Sequence, residues 1–279
     1  MATPTLTRHR LDGALGPLLV DVRAAGRRDP APAVVILHGF KGFKDWGMFP
    51  PFAERLDRAG FSAIAPNLSG SGVDDSGSFV WPERFGHNTF SAELADVEGV
   101  VSALDRGDLG VPRPSTVGMV GHSRGGGVAI LAAGRSPRIR ALVTWAAVAS
   151  VLRWTPEQIR EWRASGRLDV KNVRTGEVLP LYPDVLDDVE HHGNGALDIK
   201  AAASALDIPW LLIHGEADEA VPVAEAHSLA GMARRDRVQL LEVPRAGHTF
   251  GAVHPFAGPT PALEQVFDAS ATFLSRYLR

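Results

Sequence analysis

The chain has 279 residues, no cysteine, and 29 basic against 32 acidic residues, giving a formal net charge of −3. The lack of cysteine excludes disulfides, thiolate metal sites and a cysteine nucleophile. A near-neutral balance with no block of like charge argues against nucleic acid or an anionic membrane surface as partner, while 45% hydrophobic residues over this length can fill the core of one α/β domain.

In chain order, the first predicted strand is the apolar, β-branched run 34–37, which ends in His38-Gly39. A helix over 52–59 stops at Gly60, and a second strand over 61–65 stops at Pro66. Residues 67–88 are rich in Gly, Ser and Asp and read as a loop bordering a cleft. The spacing of Leu94, Val97, Val101 and Leu104 predicts a helix over 92–104. A strand over 116–120 runs into Gly121-His122-Ser123, followed by a small-residue helix over 125–133. Further strands are predicted over 139–145, 208–213 and 238–243. The last helix has Thr260 as N-cap and Pro261 at its first position. Apolar strands alternating with helices predict a mostly parallel sheet covered on both faces, with its site at the carboxyl ends of the strands.

Residues from about 150 to 207 break this alternation and are predicted to form a lid inserted into a single domain. The insert holds Trp154, Trp162, Tyr182, a hairpin around Arg174-Thr175-Gly176, and the pair His191-His192. The three aromatics are candidates for the substrate wall, although packing of the insert is the more common use of such side chains. Adjacent histidines project differently and no third ligand stands at suitable spacing, so no metal site is expected. The N-terminal 20 residues lack a long apolar stretch and no later run could cross a bilayer; the expectation is a soluble cytoplasmic protein.

Gly121-His122-Ser123-Arg124-Gly125 matches G-x-S-x-G between a predicted strand and a predicted helix. That turn projects the serine hydroxyl, and the glycines let strand and helix approach closely. A serine needs a base within hydrogen-bond reach. Of ten histidines, His248 is the best placed, in a turn after the last strand. Asp218, after the strand over 208–213, is the candidate acid, with Glu216 in reserve and Asp207 behind it. The order Ser, acid, His is the one such a sheet uses. Two backbone N–H groups must hold an oxyanion; Arg124, next to the serine, and Phe40, in the loop after the first predicted strand, are the candidates. The Arg124 side chain could bind a substrate carboxylate or pair within the fold. His122 reads as a buried structural residue.

With His38-Gly39-Phe40, the serine motif, Asp218 and His248 in this order, the chain resembles the α/β-hydrolase superfamily over nearly its whole length. The stretch 38–60 and the length of the insert look similar to the dienelactone-hydrolase-like and cinnamoyl/feruloyl-esterase-like branches. The resemblance implies a cofactor-independent serine hydrolase of small carboxylic esters, and the aromatics of the insert add the expectation of an aryl or cinnamoyl preference. A thioesterase or aminopeptidase of the same fold, and a non-catalytic ligand receptor built on it, are the alternatives.

Overall fold

Apolar runs without polar interruption are stable as strands only when both sheet faces are covered, and such runs build the centre of this molecule. The computed structural model describes residues 6–24, 29–172 and 176–279. In chain order the elements are β1 (Leu6–Gly13), β2 (Gly16–Arg23), β3 (Ala33–Leu37), α1 (Phe49–Arg58), β4 (Ser62–Asn67), α2 (Pro82–Gly86), α3 (Phe90–Arg106), β5 (Val117–His122), α4 (Arg124–Arg135), β6 (Ile139–Trp145), α5 (Pro156–Ser165), β7 (Leu168–Lys171), β8 (Val178–Leu181), α6 (Asp184–His192), α7 (Ile199–Ala205), β9 (Trp210–Gly215), α8 (Val223–Met232), β10 (Val238–Val243) and α9 (Pro261–Leu278).

The main sheet has eight strands in the order β1-β2-β4-β3-β5-β6-β9-β10. From β4 to β10 all neighbours are parallel, while β2 runs antiparallel to both β1 and β4. Every residue of β3, β5 and β9 is buried. One face packs on α3, α4, α7 and α8, through residues such as Leu94, Val128, Ile199 and Leu229. The other packs on α1 and α9, through Phe52, Trp145 and Phe267. This is the mostly parallel, doubly covered α/β sheet that the sequence predicts, and each predicted strand is present.

No strand is predicted before residue 34, and the β1–β2 hairpin is an addition. Leu18, Val20 and Val22 of β2 are buried, but β1 is an exposed edge with no buried residue. The hairpin is closed from outside: Asp96 Oδ1 accepts from Ala14 N at 2.7 Å and Ser69 Oγ from Leu15 N at 2.9 Å.

After β3 the chain moves to β4 on one side, then to β5 on the other. Such a reversal opens a crevice at the carboxyl ends of the two central strands. The loop from Gly39 leaves β3 there, and Ser123 follows β5.

The insert between β6 and β9 holds α5, α6, α7 and the two-stranded sheet of β7 and β8. Of the expected hairpin turn, Arg174 and Thr175 lie outside the described residues; the strands on either side pair antiparallel. The insert has a small core of its own, in which Trp162, Leu179, Leu181, Val185 and Leu186 meet Phe85 of α2. Phe40 packs against this core. The loop over 67–88 supports the insert more than it borders the cleft: Gly86 O accepts from Tyr182 N at 2.9 Å, and His87 pairs with Asp184. Ile199 and Ala203 of α7 belong instead to the main core.

Candidate active site

Ser123 sits between β5 and α4 with φ 56° and ψ −122°, a strained conformation for a residue with a Cβ. The surroundings hold it there. Its amide donates to Trp145 O at 2.9 Å, and its carbonyl accepts from Gly126 N and Val148 N. The flanking glycines are required by contact. A Cβ on Gly121 would lie 2.3 Å from Gly125 O, and one on Gly125 would lie 2.2 Å from His38 O. Gly125→Ala should therefore destabilise the fold by about 3 kcal/mol or more, at or beyond the usual range for overpacking. Urea unfolding checks this; a change below about 0.5 kcal/mol, the size of an ordinary surface substitution, would contradict it.

The sequence-predicted serine, histidine and acid converge. Ser123 Oγ lies 2.9 Å from His248 Nε2, and His248 Nδ1 lies 2.7 Å from Asp218 Oδ2. A carboxylate only accepts, so Nδ1 carries the proton and Nε2 is left to accept from the serine hydroxyl. Asp218 Oδ1 accepts from Ala220 N and Val221 N, each at 2.9 Å. Burial works against the Asp218 charge, but hydrogen bonds from His214, His248 and the Val221 amide outweigh it and hold the carboxyl well below the usual carboxylate range. Glu216 is exposed, and Asp207 pairs with Arg234 and Arg237 at the surface. Neither reserve acid reaches the histidine.

Arg124 occupies the first position of α4, where a backbone N–H has no carbonyl partner within the helix. A Cβ on Gly39 would come within 2.9 Å of Ser123 Cβ, so the β3 loop passes directly against the serine. The Arg124 side chain is spent within the fold. Its Nε donates to Glu93 at 2.8 Å, its Nη2 to Asn88 O at 2.7 Å, and its guanidinium lies over Phe90.

Two buried histidines frame the site. His38 Nδ1 donates to Gly39 O at 3.0 Å and its Nε2 accepts from Leu68 N at 3.2 Å, bracing the β3 loop. His122 Nε2 donates to the His248 carbonyl at 2.9 Å. Burial pushes His38 down to about 4. Burial, aided by repulsion from His248, pushes His122 down to about 3. The unfolded chain protonates both below its ordinary 6.5, whereas the folded protein does not. Their contribution is thus complete above pH 6.5 and is lost as pH falls toward 4 and 3, on the order of 3 kcal/mol for His38 and on the order of 5 kcal/mol for His122. Melting temperatures should fall steadily between pH 6.5 and 4.5; a flat profile would contradict this.

Two cavities meet at the serine. One, of about 400 Å³, is lined by Trp46, Phe49, Asn172 and Thr249. The other, of about 370 Å³, is lined by Phe90, Val148, Trp154 and Val221. Both include Phe40, Lys41, Ser123 and His248. Of the three aromatics proposed as a substrate wall, only Trp154 takes part. Trp162 is 1% exposed, stands behind Trp154 and donates to Leu181 O at 2.9 Å. Tyr182 donates to Glu83 and lies against His87. Packing the insert is what both do. His191 bonds back to its own helix at Asp187 O, and among the described residues no group of three or more His, Cys, Asp or Glu could hold a metal ion. Among the same residues no helix is long and apolar enough to cross a membrane.

Three comparisons place this geometry among known proteins. The chain is 24% identical over 247 residues to 2,6-dihydropseudooxynicotine hydrolase from Paenarthrobacter nicotinovorans, covering 86% of this chain but only 59% of that protein's length. It is 28% identical over 277 residues to pimeloyl-[acyl-carrier protein] methyl ester esterase from Xanthomonas campestris, with 88% of this chain and 95% of that one covered. The structure of Est1E from Butyrivibrio proteoclasticus with ferulic acid bound superposes with a TM-score of 0.74 at 20% identity, over 96% of this chain and 98% of that one. The family model that matches residues 34–258 spans β3, Ser123, Asp218 and His248, and by that match the chain belongs to the alpha/beta hydrolase family.

Proposed function

We propose that the protein is a serine esterase that cleaves small carboxylic esters through an acyl-enzyme. The observation that carries this is the unbroken hydrogen-bonded chain from Ser123 Oγ through His248 to Asp218, at 2.9 and 2.7 Å. As Ser123 attacks the ester carbonyl, its proton passes to His248 Nε2. Asp218 keeps the imidazole in the productive tautomer and stabilises the imidazolium without taking the proton. The N–H groups of Phe40 and Arg124 receive the oxyanion, in a site built before the substrate arrives. The alcohol leaves with the proton from His248, and water repeats the sequence on the acyl-enzyme.

The two cavities on either side of Ser123 separate the acyl part from the alcohol part. Trp154, with Phe40 and Phe90, gives one of them an aromatic wall suited to an aryl or cinnamoyl group. The insert, within one domain, serves as a lid over this cleft, with Phe40 linking it to the oxyanion loop. The esterase named among the relatives and the ferulic acid bound in the structural neighbour support ester chemistry. Steady-state turnover on matched butyrate and cinnamate esters, thioesters and anilides tests the reading. Ester turnover should exceed anilide turnover, with cinnamoyl accepted; no turnover of any ester would overturn it, and thioesters cleaved well above esters would replace esterase by thioesterase.

A further inference from the structure

β9 ends in His214-Gly215, four residues before the acid, and the His214 ring is wholly buried. Its Nε2 lies 2.8 Å from Val221 O and 3.4 Å from Asp218 Oδ2. Both oxygens can only accept, so Nε2 bears the proton and its main bond is the shorter one, to the Val221 carbonyl. The Val221 amide in turn donates to Asp218 Oδ1, beside that of Ala220. A closed path therefore runs from the strand, through the His214 ring and the Val221 peptide, to the carboxylate. Its other oxygen is left facing His248.

We infer that His214 is a positioning residue: it holds the 218–221 turn so that the Asp218 carboxylate points at His248. This rests on the hydrolytic reading of the site given above. The other groups at the turn do not replace it. Arg153 Nη2 reaches Ala220 O only at 3.4 Å, and its Nη1 is committed to Glu225. Of the charged or titratable groups around the acid, His248 is the one being positioned, and His122 touches the His248 ring and carbonyl from β5. Removing the His214 donor would leave the buried Val221 carbonyl unpaired, and an unmet buried acceptor is costly enough to make a turn rearrange. The turn that would move is the one carrying the acid. The Ser123 elbow is held by other contacts, the cavity lined by Trp46 and Phe49 takes no residue from this turn, and the other cavity takes only Ala220 and Val221 from it, so substrate binding should suffer less than turnover.

The test compares His214→Leu, which fills the space without a donor, with His214→Gln, whose amide can reach the same carbonyl. Each folded variant is assayed on a p-nitrophenyl ester across pH, beside its melting temperature. His214→Leu should lose roughly 10- to 100-fold in kcat, well short of the ~10⁴ that follows loss of a triad carboxylate. Its KM should stay within about threefold of the parent, the signature of an interaction that acts in the transition state. The acid limb of kcat/KM, which reports the essential base, should move to lower pH because the base has lost its well-aimed carboxylate. His214→Gln should restore most of kcat and the parent pH profile. If His214→Leu does not accumulate folded, His214→Asn, with a side chain too short to reach Val221, takes its place with the same expected losses. A folded donor-less variant with parental kcat and a superimposable pH profile would overturn the inference, as would equal losses in the Gln variant. Parent enzyme that turns over no ester would instead overturn the hydrolytic reading, and the inference with it.

Discussion

Ser123→Ala should lower ester turnover by at least about 10³, while leaving the protein folded. In the proposed mechanism the loss is large because the serine oxygen is the atom that becomes covalently bonded; without it only the proposed oxyanion donors and the binding surfaces remain, and such groups leave a small residual rate in comparable sites. The fold should survive because nothing that shapes the elbow uses the hydroxyl as a structural bond. The Ser123 backbone is fixed by its amide bond to Trp145 O and by the donors to its own carbonyl, all of which an alanine keeps. Alanine also has the same Cβ to accommodate at φ 56°. Turnover measured beside a thermal melt checks both halves. Retention of more than a tenth of the parent rate would show that the serine is not the nucleophile.

Asp218→Asn should cost about 10⁴ in kcat, the scale seen when a carboxylate that orients a catalytic histidine becomes an amide. The geometry says why so small a change would matter. Oδ1 accepts two backbone N–H bonds, from Ala220 and Val221, so the asparagine must turn its carbonyl oxygen to that side. Its NH₂ group then faces His248 Nδ1 across 2.7 Å, where a donor is already present. The imidazole can resolve the clash only by moving its proton to Nε2, which points a donor at Ser123 Oγ and removes the base. KM should change little, since Asp218 lies behind the histidine and lines neither cavity itself, and the asparagine keeps the two backbone bonds that hold Ala220 and Val221 at the wall. Equal kcat in the asparagine variant would mean that the carboxylate serves only as a turn former.

Much of this was legible in the sequence because its signals are local. Gly121-His122-Ser123-Arg124-Gly125 needs close backbone contact that only glycine permits, and the distances at Gly121 and Gly125 bear that out. The central strands stand out because each is buried on both faces. What escaped depends on partners distant in the chain. β1 reads as a polar segment, since as an edge strand it buries nothing of its own; it is held by pairing with β2, whose turn is tied to Asp96 and Ser69. Whether Arg124 met a substrate or Glu93 turned on a contact 31 residues away. Trp154, Trp162 and Tyr182 look alike in composition, and only the packing of the insert separates the one that lines a cavity from the two that support it. His214 had a sequence signal, a histidine at the end of an apolar strand just before the acid, but its role becomes visible only with the Val221 carbonyl in place.

The most direct test of the central claim is covalent labelling with a fluorophosphonate, followed by peptide mapping. One adduct is expected, on Ser123, formed readily by the parent protein, slowed strongly in His248→Ala and absent in Ser123→Ala. Folded parent protein that stays unlabelled, or that carries its adduct on another residue, would contradict the account.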